Sequence, residues 1–276
     1  MASRDGTELA GRAMSDFIAC VDAFTDRPFA GNPAAVCRLD RPRDADWMQQ
    51  FAAEMNLAET AFVVREPGGF GLRWFTPAVE VDLCGHATLA TAHILWTEGV
   101  VPSNEPIEFH TRSGTLGASR RDGMIELDFP AEPAVEVPAP PGLAEALGTS
   151  LLWSGRNRMD FIVEVAGEPQ LRGIAPDLAA IARLDARGLI VTCNGDGTEY
   201  DFLSRFFAPQ SGIAEDPVTG SAHCCLGPFW ASRLNRSALV GFQASPRGGE
   251  VRVTVNGPRV VLGGRAVTIY SGSLRD

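Results

Sequence analysis

The 276-residue sequence has no cysteine pair at C-x-x-C spacing, no bilayer-length uncharged run and no cluster of basic residues with interleaved aromatics. Each absence removes a class of function. Six scattered cysteines (Cys20, Cys37, Cys84, Cys193, Cys224 and Cys225) read as reduced thiols rather than a disulfide framework. The uncharged runs 83–97 and 217–232 are too short, and too rich in Thr, His, Ser and Gly, to span hydrocarbon. With 24 basic against 34 acidic side chains, the net charge of -10 speaks against a nucleic-acid or anionic-membrane partner. No Gly-rich phosphate loop or dinucleotide fingerprint follows a strand-like segment, so no nucleotide or flavin cofactor is expected. Gly248-Gly249 and Gly263-Gly264 read instead as hairpin turns. Residues 1–14 lack an apolar signal core. The expectation is a cytoplasmic protein with a disordered polar tail over 1–14.

What is present is a duplicated plan. Arg73-Trp74-Phe75-Thr76-Pro77 leads to Cys84-Gly85-His86-Ala87 and on to Trp96. Arg205-Phe206-Phe207-Ala208-Pro209 leads to Gly220-Ser221-Ala222-His223 and on to Trp230. Each copy predicts a strand, a loop and a Gly-led helix without charges. Two such helix starts converging on one place would offer free N–H groups and positive dipole character to an anion.

At this length, roughly 75% of the unfolded surface can be buried, and the prior is two domains of about 130 residues. Strands are predicted at Phe17–Phe24, Ala34–Leu39, Ala61–Arg65 and Gly71–Phe75. Trp47, Phe51 and Met55 share one face of a helix starting near Asp44. A hairpin is expected from Leu116–Arg121 through Asp122-Gly123 to Met124–Phe129. Residues 130–141, with five prolines, read as a linker. Beyond it come a helix near Pro176–Leu184 and strands at Leu189–Cys193, Tyr200–Phe207, Ala238–Phe242 and Val251–Val255. The last strand, Ala266–Tyr270, has no evident local partner. Apolar residues surround the axis of 83–97, which implies a helix buried on all sides. Pro228 is expected to kink or end the second such helix. The fold class expected is α+β, with two similar domains, each a barrel-like sheet around a central helix. The boundaries expected are 15–122 plus 263–276 for one domain and 123–262 for the other.

Three of the four histidines (His86, His93 and His223) fall in the two central segments, where burial is costly unless they are paired or used. His86 follows Gly85 at a helix start; Asp216 and Ser221 flank the matching start. Glu59 stands at the entry to an apolar strand, a position that suits proton transfer. Each has a plainer reading: a capping carboxylate for Glu59, a helix-start residue for His86, a turn former for Asp216, a simple hydroxyl for Ser221. His93 and His223 read as core residues. Cys84, His86, His223 and Cys224 lack a zinc spacing pattern, and Cys84 with His86 lacks an orienting third group for thiol catalysis.

The runs DAFTDRPFAGNPAAV (22–36), MNLAETAFV (55–63), RWFTPAVEVDLCGHATLATAHIL (73–95) and EDPVTGSAH (215–223) resemble the PhzF family of phenazine-biosynthesis-type isomerases, in the diaminopimelate-epimerase-like superfamily. The resemblance implies two epimerase-like domains with the active site between them, and commonly a homodimer. It implies catalytic roles for Glu59, His86, Asp216 and Ser221. Substrate-binding roles fall on Asn32, Gly85, Thr219 and Gly220. No metal or cofactor is implied. Cys84 matches the first thiol of the two-thiol relatives, but Thr219 stands near the second thiol's place, so that mechanism is broken. The implied activity is cofactor-independent proton movement on a small carboxylate-bearing metabolite. A racemase or epimerase of a small amino or hydroxy acid, and a non-catalytic anion binder, are the alternatives.

Overall fold

Thr60–Val63 in the strand Glu59–Glu66 are buried on both faces, which pack into two different layers. Ala61 and Val63 join the main core around the helix Gly85–Thr97, whereas Phe62 and Val64 pack outward with the helix Ala45–Met55. The computed structural model describes residues 16–275, and the tail expected over 1–14 lies outside them. The same layering recurs in the second half. There Val191 and Leu203 face outward toward Leu143, Leu171 and Ile181, while Ile190 and Phe202 face the helix Gly220–Leu234.

Among the described residues, seventeen strands form one sheet. In the first half the order runs Ala266–Ser273, Phe17–Ala23, Asn32–Leu39, Glu59–Glu66, Gly69–Phe75, Ile107–Thr111, Gly114–Arg121 and Met124–Pro130. Met124–Pro130 then pairs with Arg259–Gly264, which carries the sheet into the second half. That half continues through Gly249–Asn256, Ala238–Gln243, Phe202–Phe207, Gly188–Asn194, Asp160–Glu164 and Trp153–Arg156 to Val135–Glu136. The expected boundary at 262 falls inside this seam, and the C-terminal strand pairs with Phe17–Ala23. The architecture is α+β, with a sheet rolled around a central helix in each half.

Both central helices are buried on nearly every side. Ala87, Leu89, Ala90, Ala92, Ile94 and Leu95 are all at 0% exposure, and each large aliphatic among them contributes on the order of 2 kcal/mol. Thr88 and Thr91 are buried without loss because their hydroxyls donate to the carbonyls of Cys84 and Ala87, at 2.6 and 2.7 Å.

The duplicated arginines do the same work twice. Arg73 forks onto Glu80 at 2.7 and 2.8 Å, and Arg205 forks onto Glu215 at 2.7 and 2.9 Å. Each glutamate stands five positions before its helix-leading glycine, Gly85 or Gly220. Each bidentate pair therefore ties the loop that aims a central helix.

Several expectations need correction. Pro228 does not end its helix, which runs Gly220–Leu234. A proline there leaves the carbonyl of Cys224 without its helical donor, and the amide of Glu132 supplies one at 3.0 Å. Gly263 and Gly264 lie in a strand and pair with Glu126 and Ile125; the nearby hairpin turn uses Gly257, at φ 58°. The helix expected over 176–184 shrinks to Leu178–Ile181. The proline-rich stretch is tied down rather than loose, since Val135–Glu136 pairs with Gly155 and Arg156. The hairpin at 122–123 is as expected, with Asp122 and Gly123 both at positive φ.

Candidate active site

The two central helices meet head to head. A Cβ built on Gly85 would lie 3.4 Å from the Cα of Gly220, and the converse holds. Neither helix has a side-chain cap: the N-cap residues are Cys84 and Thr219, and neither first turn carries an acid. First-turn amides of both helices thus lack intrahelical acceptors at one point in the molecule.

Around that point the structure gathers most of the expected residues. Glu59 Oε2 lies 3.2 Å from His86 Nε2, with the two side chains 13% and 5% exposed. The parallel pairing of Asn32–Leu39 with Glu59–Glu66 places both strand entries together, Ala34 opposite Glu59. Asn32 is wholly buried, and its amide nitrogen donates to Asp216 Oδ1 at 2.8 Å and to the carbonyl of Val218 at 2.9 Å. The same nitrogen lies 3.2 Å from His86 Nδ1. Asn32 therefore joins the first-half pair, Glu59 and His86, to Asp216 of the second half. Thr219 closes the group, its hydroxyl donating to Asp216 Oδ2.

Electrostatics separate the roles. Burial, then the charges of His86 and Glu59 acting in opposite senses, lift the Asp216 carboxyl to about 6, against the hydrogen bonds from Thr219 and Asn32. Burial alone would lower His86, but negative charge on Cys84 and Glu59 outweighs it and holds the imidazole well above its ordinary value. Burial, then the Glu59 charge, pushes the Cys84 thiol up to about 11. Carboxylate, thiol and imidazole atoms of Glu59, Cys84 and His86 lie within 4.8 Å of one another.

Ser221 is placed differently from the other three catalytic expectations. Its hydroxyl accepts a hydrogen bond from Arg187 Nη2 at 2.9 Å. His223 is a core residue as expected, whereas His93 is only half-buried and bonds Thr268 Oγ1 at 3.0 Å; burial depresses both to about 4, helped at His93 by the charge of Arg120. One residue of the network escaped sequence reasoning. Gln243, wholly buried, accepts from the Thr219 amide at 2.8 Å and donates to the Asp216 carbonyl at 2.6 Å. A lone glutamine in a strand offers no signal in sequence; only the fold brings it to residues 216–219.

Comparison with known proteins shows what the whole chain is similar to. An uncharacterized isomerase of Halalkalibacterium halodurans is 51% identical over 262 residues, covering 95% of this chain and 99% of that one. A PhzF-family phenazine biosynthesis protein of Enterococcus faecalis superposes with a TM-score of 0.91 at 42% identity, over 95% of this chain and 100% of the other. A hydroxyproline epimerase of Agrobacterium vitis, at 10% identity and a TM-score of 0.62, shares the fold over 95% of this chain and 93% of its own. The family match to PhzC-PhzF, phenazine biosynthesis-like protein, spans residues 21–272. The chain belongs to the PhzC-PhzF family.

Proposed function

We propose that the protein is a cofactor-independent isomerase that relocates a proton on a small carboxylate-bearing metabolite. The observation that carries this reading is the Glu59–His86 pair, 3.2 Å apart and nearly buried, beside two uncapped helix starts. First-turn amides at Gly85, His86, Gly220 and Ser221 receive the substrate's anionic oxygens. On an acid with a C=C bond one carbon further along, Glu59 takes a proton from the carbon between the carboxylate and the double bond, leaving a dienolate whose negative charge the amides and His86 stabilise. The proton then returns to a different carbon, from Glu59 or from Asp216, whose value near 6 lets it hold a proton close to neutrality. Asn32 and Thr219 keep Asp216 in place.

Two features favour isomerisation over the two-thiol epimerisation of relatives sharing the fold. The matching N-cap positions hold Cys84 and Thr219, so one half lacks a thiol, and the thiol of Cys84 stays protonated. The cofactor-independent reading also has a basis in composition. All 24 basic residues are arginine, so no lysine amine exists to carry a pyridoxal Schiff base.

The test is incubation with a panel of small unsaturated amino and hydroxy acids in D₂O, followed by NMR. Deuterium at a carbon other than the one deprotonated supports the isomerase. Deuterium at the same carbon with inverted configuration would point to an epimerase, and binding without exchange to a non-catalytic anion binder.

A further inference from the structure

The two halves treat the second residue of their central helices alike. In the first half, Thr60 pairs with Phe75, and Glu59, one residue earlier at the strand entry, reaches His86. In the second half, Leu189 pairs with Phe207, the counterpart of Phe75, so Gly188 takes the place of Glu59. Gly188 has no side chain, and a Cβ there would lie 2.5 Å from the Phe206 ring, which would have to move. The residue before it, Arg187, reaches Ser221 instead, and Ser221 is the counterpart of His86.

Arg187 is not held loosely. Its guanidinium forks onto both oxygens of Asp160, from Nε at 2.9 Å and Nη2 at 2.5 Å, and Asp160 is at 0% exposure. Asn157 Oδ1 accepts from the Asp160 amide at 2.7 Å and fixes the turn that presents the carboxylate. A bidentate pair of this kind sets the direction of each N–H as well as its distance. One N–H of Nη2 is thereby aimed at Ser221 Oγ. That oxygen accepts from Arg187, and among the described residues its own hydrogen has no acceptor. Ser221 sits half-buried in the first turn of Gly220–Leu234, next to the glycine contact with Gly85.

We propose that Arg187, braced by Asp160, is a positioning residue that fixes the Ser221 hydroxyl as a hydrogen-bond donor toward a carboxylate or enolate oxygen in the site. The role deepens the isomerase reading and rests on it. Where the first half supplies a base through Glu59, the second half supplies an oriented donor through Arg187. Such a one-base, one-donor arrangement suits a substrate that loses a proton and gathers charge on oxygen, rather than one inverted between two bases.

The probe is acetate, titrated into the full-length protein while amide NMR shifts of Gly85, His86, Gly220 and Ser221 are followed. Arg187→Lys keeps a cation beside Asp160 but cannot span to Ser221 with a planar fork. It should leave the melting temperature near wild type and weaken acetate about fivefold, the worth of one hydrogen bond of average strength. Asp160→Asn/Arg187→Gln, which removes the buried charge pair together, should show the same loss. In a Ser221→Ala background, Arg187→Lys should cause no further weakening, because the arginine acts through that hydroxyl. An unchanged affinity in Arg187→Lys, or an equal loss in the Ser221→Ala background, overturns the proposal while leaving the isomerase reading intact. If wild type itself shows no acetate shifts at the four amides, anion binding between the helix starts fails, and this role fails with it.

Discussion

Gly85 and Gly220 meet Cα to Cα, and a Cβ on either would sit 3.4 Å from the other's Cα. One methyl fits at ordinary van der Waals distance, but two would compete for the same space. Gly85→Ala and Gly220→Ala should each stay within about 1 kcal/mol of wild type in urea unfolding. The double variant should lose at least about 1 kcal/mol more than the sum, since contacting residues are not additive. Simple additivity would mean that the helices have room to part.

Asp216 sets a pH dependence whose sign follows from its raised carboxyl. Its folded value near 6 exceeds the ordinary 3.8, so the native state keeps a proton that the unfolded chain has already released between those values. The stabilisation is full below the ordinary carboxylate value and is lost as pH rises through about 6. A shift of this size corresponds to roughly 3 kcal/mol. Asp216→Asn should therefore be more stable than wild type at pH 8, by up to that amount, and lose the advantage near pH 4. Chemical denaturation at the two pH values measures it.

Gln243 ties Thr219 and Asp216 through two backbone hydrogen bonds. Gln243→Leu leaves a buried amide and a buried carbonyl unpaired, at a cost of about 2–4 kcal/mol. Hydrogen exchange should accelerate at residues 216–220 more than in the helix Gly85–Thr97. Uniform acceleration would mean that the glutamine supports the core generally rather than this turn.

The duplicated Arg-aromatic-Phe-x-Pro pattern made the architecture legible, because local spacing set both the strand and the Gly-led helix after it. Glu59, His86 and Asp216 were legible through motifs. What sequence did not carry was long-range partnership. Pro228 reads as a kink or an early end to its helix, and the helix runs on because the amide of Glu132, remote in the chain, takes the orphaned carbonyl of Cys224. Gly263 and Gly264 read as a turn because a glycine pair looks alike in a hairpin and in a crowded strand. There, a Cβ on Gly264 would lie 2.4 Å from the Phe24 ring. Ser221 reads as a lone hydroxyl because Arg187 stands 34 positions away.

Cys84 and then Glu59, whose carboxylate lies 3.2 Å away, hold the His86 imidazole above its ordinary value against the effect of burial. Glu59→Gln removes one of these raising contributions, so the imidazole should titrate at lower pH than in wild type. Carbon-13 and nitrogen-15 shifts of the ring follow this directly. An unmoved titration would assign the raised value to another group.

The central claim is that Glu59 removes the substrate proton, and the solvent-exchange rate of Glu59→Gln tests it most directly. With any small carboxylic acid that wild type labels in D₂O, the variant should incorporate deuterium about 10²–10⁴-fold more slowly while still binding the acid. Exchange by Glu59→Gln at the wild-type rate would contradict the account.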